Sequence, residues 1–219
     1  MNFLLAIVVS ILAYGAVPND TTQNNADAIN RAIRDCAAKG GGVVEVPQGT
    51  FTTGSVFLQS GVTLRLNRGA VLLGSNRLTD YSSLTTDLDL SRYESGQGTV
   101  NYNSATDEQW SKAMILGVGC DGAGIDGEGC IDGGDVRNPL GEEHMRGPHT
   151  VLLAGCRNMK MRNFQVKRSA NYAFLAYLLD QSTFSNLSIE GGWDGIHIRG
   201  SHDVKIERCR IYTGDDAIA

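Results

Sequence analysis

The sequence predicts an all-β chain, a parallel β-helix behind an N-terminal capping α-helix. Three observations carry that prediction. Glycine makes up 27 of the 219 residues against 4 prolines, with no Gly-X-Y period, and glycine that dense marks many tight turns between short strands. One early segment has helical periodicity, and every later apolar run is short and alternating. The last third repeats: Met161, Phe184 and Ile206 are equivalent, as are Phe164, Leu187 and Cys209, then Val166, Ile189 and Ile211, at offsets of 23 and 22 residues. A helix-free repeat of that length is too short for a propeller blade and lacks the fixed leucines of a leucine-rich repeat. Stacked coils about 4.8 Å apart fit it, because each inward Val, Ile or Leu is then buried by its neighbours above and below, at about 1.5–3 kcal/mol per side chain.

Taken in order, Phe3 to Val9 (FLLAIVV) is apolar and too short to span a bilayer, and no Lys or Arg precedes it. It reads as a signal-peptide remnant or as a first strand. Residues 1–9 are therefore set apart from 10–219, the N-terminal part of a single β-helix domain, and a secreted or periplasmic location is expected. Asn24 to Lys39 is the helix: Ala28, Ile29, Ala32, Ile33 and Cys36 share one face, Asn24 or Asn25 caps it, and Gly40-Gly41-Gly42 ends it. Strands follow as VVEV (43–46), SVFL (55–58), VTLRL (62–66) and AVLL (70–73). Leu78 to Trp110 is polar and irregular, as a functional loop would be. After the strand AMIL (113–116), Gly117, Gly119 and Gly122 have GxGxxG spacing, but glycines continue where a dinucleotide site needs a helix. His144 and His149 fall in a loop, GEEHMRGPHT, that would overhang a site in the later coils.

The composition, 42% hydrophobic and 20% charged, is that of a folded domain rather than a disordered chain. A net charge of −5 argues against a nucleic-acid partner. Five cysteines without a CxxC or a suitably spaced His give no metal site and no cofactor, and Cys209 reads as a small buried hydrophobe. Lys160, Arg162, Lys167 and Arg168 form a basic run that is either a solvated face or a set of subsites for an acidic polysaccharide.

Acidic residues cluster in the last two coils: Asp194 in GGWDGIHI, Asp215 and Asp216 in YTGDDAIA. The 22-residue offset puts Asp194 over Asp216 with Asp215 beside them. Like charges at roughly 5 Å favour protonation of one carboxyl, and a protonated acid beside ionised carboxylates is what glycoside hydrolysis requires. His197 and Arg199 alternate along the strand after Asp194, so both are candidates to face the same groove.

On these residues the chain resembles the polygalacturonase-type enzymes of glycoside hydrolase family 28, in the pectin-lyase-like superfamily of right-handed β-helices. LAYGAVPNDTTQNNADAINRAI, GGGVVEVPQGTFTTGSVFLQSGVTLRLNRGAVLLGS and GIDGEGCIDG resemble the family's N-terminal half. More specifically, WDGIHI is similar to its Asn-Thr-Asp-Gly-Ile-Asp-Ile and GDDAIA to its Gly-Asp-Asp-Cys-Ile-Ala. The resemblance implies an inverting hydrolase of pectin-like polysaccharide, with Asp215 as general acid and Asp194 and Asp216 activating water. Trp193 stands where the family has Asn-Thr, and is either a packed aromatic or a platform for a sugar face. With His197 and Arg199 it completes the expected substrate-binding set. The family's Gly-His-Gly and Arg-Ile-Lys motifs belong to later coils, so a fragment truncated at its C-terminal end is expected, monomeric if full length and not inserted in a membrane. Two alternatives stand beside this reading: a β-helix polysaccharide lyase with a Ca²⁺ site, and a β-helix that binds glycans without chemistry.

Overall fold

The computed structural model describes residues 7–94 and 103–219. It is a right-handed parallel β-helix of three sheets, wound so that each coil contributes one strand to each sheet. The first sheet has seven strands, beginning with Ile7–Ser10, Gly42–Val46 and Val62–Leu66 and ending with Thr183–Ser185 and Lys205–Glu207. The second runs from Gly49–Thr53 to Arg210–Tyr212. The third stacks Val56–Phe57, Lys112–Val118, His149–Ala154, Phe174–Tyr177 and Ile196–Arg199. Of the apolar N-terminal stretch, residues 1–6 lie outside the described residues, and Ile7–Ser10 form a strand paired with Gly42–Val46.

The inward ladders are those the repeat implies. Val44, Leu64, Ile125, Met161, Phe184 and Ile206 are in register along the first sheet. Phe51, Leu72, Ile131, Val166, Ile189 and Ile211 run along the second, and Val56, Ile115, Val151, Phe174 and Ile196 along the third. Most are fully buried, so each coil is held mainly by the apolar surface of its two neighbours. Corners need a left-handed residue, and Asn163 and Asn186 supply it with φ of 71° and 54°. Their amides form a ladder: Asn186 Nδ2 donates to Asn163 Oδ1 at 3.1 Å, and Asn163 Nδ2 to Asp126 Oδ1 at 2.7 Å.

The helix spans Ala26–Ala38 and buries the predicted face against the strands of the first coils. The capping acceptor is Asn24, whose Oδ1 takes the Ala26 N–H at 3.0 Å, whereas Asn25 ties down the preceding segment by accepting the Val17 N–H at 2.7 Å. The strand Gly49–Thr53 was not expected, because its threonines give no apolar alternation. Among the described residues no helix is long and apolar enough to cross a membrane.

Two expectations need correction. The segment after Leu78 is not simply a polar excursion: it folds back on the outer face of the third sheet, burying Leu90, Ala105 and Trp110 against Leu116, Leu152, Ala154, Leu175 and Tyr177. The third sheet is thus covered on both faces, which is why its strands read as unbroken apolar runs. His149 is not in a loop either; it opens the strand His149–Ala154 and is fully buried.

Candidate active site

The outer face of the third sheet carries two columns of side chains. Leu116, Leu152, Leu175 and His197 form one, and Val118, Ala154, Tyr177 and Arg199 the other. Each column changes from mainly apolar to polar at the coil Ile196–Arg199. The acidic residues lie at the corner that enters this sheet.

That corner is itself a stack. The register continues from His149 to Tyr172 to Asp194 on successive coils, as Val151, Phe174 and Ile196 pair one above the other. Ile196 then bridges Ile218, the same 22-residue step that relates Asp194 to Asp216. Backbone bonds fasten the two acidic turns together: the Gly195 N–H donates to the Asp216 carbonyl and the Asp215 N–H to the Trp193 carbonyl, both at 2.9 Å. Asp194 is buried, 4% exposed, whereas Asp215 and Asp216 are exposed.

Gly195 explains the Asp-Gly pair. A Cβ there would stand 2.5 Å from the Ala217 carbonyl oxygen and 2.6 Å from Ile211 Cγ2, so only glycine lets the next coil close on Asp194. Gly195→Ala is expected to destabilise the chain by about 1–3 kcal/mol, the usual cost of overpacking. Urea unfolding checks this, and an unchanged midpoint would show that the coils part without cost.

The Asp194 carboxylate has a partner that its charge pattern alone did not suggest. His197 Nδ1 lies 2.6 Å from Asp194 Oδ2, and Arg199 Nε donates to His197 Nε2 at 3.0 Å. The His197 ring stacks on Tyr172, with centroids 4.9 Å apart and planes 7° from parallel. Arg199 lies over the Tyr177 ring at 5.8 Å, and its Nη1 donates to the Asn103 carbonyl at 3.4 Å. Both His197 and Arg199 therefore lie on the outer face, with polar atoms committed to one another and to Asp194.

Trp193 is covered on one side by Arg146, whose guanidinium carbon stands 4.1 Å from the ring centroid. Arg146 is 3.0 Å from both Glu142 and Glu143, and the Glu142–Arg146 pair is buried. Burial pushes the Glu142 carboxyl up; Arg146 opposes the shift, while Glu143 and Asp194 reinforce it. Burial, then the charges of Asp194 and Glu142, push the Tyr172 hydroxyl up, so it stays protonated beside the site. Burial pushes His149 down to about 3, which leaves it neutral. Trp193 also lines an open hollow of about 220 Å³ with Arg137, Asp135, Met145 and Ser169. A larger hollow of about 420 Å³ lies between Ser188–Glu190 and Arg210–Tyr212, on the second sheet.

The basic run resolves into separate parts. Arg162 pairs with Asp126 at 2.9 Å and Arg168 with Asp132 at 2.7 Å across the coils, leaving Lys160 and Lys167 on the solvated face. Among the described residues, the one group of acidic and histidine ligands within 4.8 Å of one another is Asp180, His202 and Asp203. It stands at the opposite corner, leading into the first sheet. The acidic trio is not such a group.

The sequence pattern of glycosyl hydrolases family 28 matches residues 36–219, from the end of the helix through both acidic turns. The chain belongs to glycosyl hydrolase family 28. An exo-poly-α-D-galacturonosidase of Dickeya chrysanthemi is 25% identical over 256 residues, covering 96% of this chain and 41% of that protein. A polygalacturonase of Ralstonia solanacearum is 32% identical over 117 residues, 51% of this chain and 20% of its own length. The chain thus spans about two fifths or less of these two curated relatives. Two solved structures share the fold: a family 28 exopolygalacturonase of Yersinia enterocolitica, with a TM-score of 0.77 at 23% identity over 98% of this chain and 45% of that one, and a Thermotoga maritima exopolygalacturonase, with 0.74 at 22% identity over 97% and 54%.

Three residues of this candidate site were not singled out from the sequence, Tyr172, Glu142 and Arg146, and His149 was placed in an overhanging loop rather than in the stack. Tyr172 and His149 were within reach of the repeat, since steps of 22 and 23 residues lead back from Asp194 to Tyr172 and then to His149. Glu142 and Arg146 carry no periodic signal and come to the site by loop closure.

Proposed function

We propose that the chain carries the acid–base residues of an inverting hydrolase acting on pectin-like polygalacturonan. The observation that supports this best is the stack itself: a buried Asp194 in register with Asp216 on the next coil, Asp215 beside it, at the polar edge of an otherwise covered sheet. In this reading Asp215 protonates the glycosidic oxygen, while Asp194 and Asp216 orient and deprotonate water on the opposite face of the sugar. Inversion needs the acid and base about 6.5–9.5 Å apart to admit that water. Residues on neighbouring columns of one corner can be spaced so. The relatives' names supply the substrate class: those proteins are described as acting on polygalacturonate chains. Arg137 and the free face of Trp193 offer one sugar residue a cation and an aromatic surface in the hollow beside Asp194. A polysaccharide outside the cell fits a secreted or periplasmic, monomeric enzyme that needs no cofactor.

The test is incubation of the protein with polygalacturonate, following new reducing ends and, by proton NMR, the anomer first released. Reducing ends with the inverted anomer are expected. An unsaturated, ultraviolet-absorbing product would instead mean β-elimination, and binding without cleavage would mean a glycan-binding β-helix.

A further inference from the structure

We propose that His197 is a positioning residue for Asp194, held by Arg199 in the tautomer that carries its proton on Nδ1. The proposal rests on the hydrolase reading for its consequence, and on geometry alone for its structural half. A guanidinium has five N–H donors and no acceptor. Arg199 Nε lies 3.0 Å from His197 Nε2, so that nitrogen must present its lone pair. The proton of the neutral ring is then on Nδ1, 2.6 Å from Asp194 Oδ2, and it is donated there. The direction of the chain, Arg199 to His197 to Asp194, follows from the first member.

The surroundings fix the ring rather than merely touching it. Tyr172 stacks flat on one side of it, and Arg199 is held from beyond by the Asn103 carbonyl and the Tyr177 ring. Among the described residues no hydrogen bond reaches Asp194 Oδ1. The carboxylate is therefore clamped by one oxygen, and the other has no protein hydrogen bond among the described residues. Oxygen Oδ1 is the one assigned to the attacking water, and the clamp prevents the carboxyl rotation that would exchange the two. Both imidazole nitrogens are used in this chain, so His197 has none to offer a sugar hydroxyl.

Histidine-selective ¹⁵N labelling and long-range ¹H–¹⁵N correlation read the tautomer directly in the intact protein, with His197 assigned through its contact with the Tyr172 ring. A neutral ring protonated on Nδ1 is expected; protonation on Nε2, or averaging between the two, overturns the proposal. Kinetics test the consequence. His197→Asn keeps an N–H near the Nδ1 position, and its kcat is expected to stay within about tenfold of the parent. His197→Gln places the amide near Nε2 instead, and kcat is expected to fall about 100-fold with KM little changed, the penalty for a misplaced reacting group. Equal losses in the two variants, or a rise in KM alone, would refute a positioning role. If the unaltered protein cleaves no polygalacturonate, the hydrolase reading fails by itself, and the NMR result still decides the tautomer.

Discussion

Asp194→Asn and Asp215→Asn are each expected to slow hydrolysis of polygalacturonate by about 10²–10⁴-fold, the usual contribution of a positioned acid or base, while both proteins stay folded. The Asp194 substitution is clean because an amide oxygen can still accept the His197 Nδ1 proton; only the negative charge and the basicity are lost. Asp194→Ala would instead leave that half-buried N–H without its partner and the Asp194 site unfilled, and would confuse a folding defect with a catalytic one. Asp215 is exposed, so its amide variant should be structurally silent. The two roles separate on a galacturonide with an aryl leaving group of low pKa. Such a substrate departs without protonation, so Asp215→Asn should regain most of its rate on it. Asp194→Asn should not, since water must still be deprotonated. Equal recovery in both variants would refute the assignment of acid and base, and no loss in either would remove catalysis from this corner altogether.

How much of this was legible in the sequence depends on whether a residue's place is set by the repeat. Met161, Phe184 and Ile206 could be aligned because parallel coils bury the same positions in each turn, and the alignment that found them also put Asp194 over Asp216. The repeat would have led further, to Tyr172 and His149, but an aromatic at a strand start looks like an ordinary core side chain, and His149 follows a loop-like run of polar residues and glycine. Pro148 and His149 read as loop in isolation; His149 begins a strand because Ala113 on the coil before pairs with it. What stayed hidden was set by contacts without period. Arg146 reaches Trp193 only once the loop 133–148 closes, and Trp110 covers the third sheet only once residues 78–94 and 103–111 fold back. The His197–Asp194 bond was hidden for another reason. Residues three apart at the start of a strand meet only because the backbone turns between them at Gly195, and charge counting sees two aspartates where the structure has an aspartate and an imidazole.

Acid is expected to destabilise this protein from below about pH 6.5, well above the range where carboxylates titrate, because of His149. Its ring is fully buried, T-shaped against Trp110 at 4.7 Å and tilted against Tyr172 at 5.2 Å, with Nδ1 accepting the Tyr172 N–H at 3.3 Å. Burial holds its pKa down to about 3, with the guanidinium charges of Arg199 and Arg146 adding to the shift, against 6.5 for an exposed ring. In the unfolded chain the same ring binds a proton as soon as the pH falls through 6.5. Between those two values the unfolded state holds the extra proton, so stability decreases as pH falls, by up to about 1.4 kcal/mol per pH unit and on the order of 5 kcal/mol in all. His149→Asn isolates the effect: its side-chain oxygen can still accept the Tyr172 N–H, but it does not titrate. The variant should be less stable than the parent near pH 8, having lost the ring's packing. Urea unfolding from about pH 8 down to about pH 5 should then show the two stabilities converging as the parent alone loses ground. Parallel curves would mean that His149 takes up its proton in the folded state, which a ring sealed between Trp110 and Tyr172 should not do.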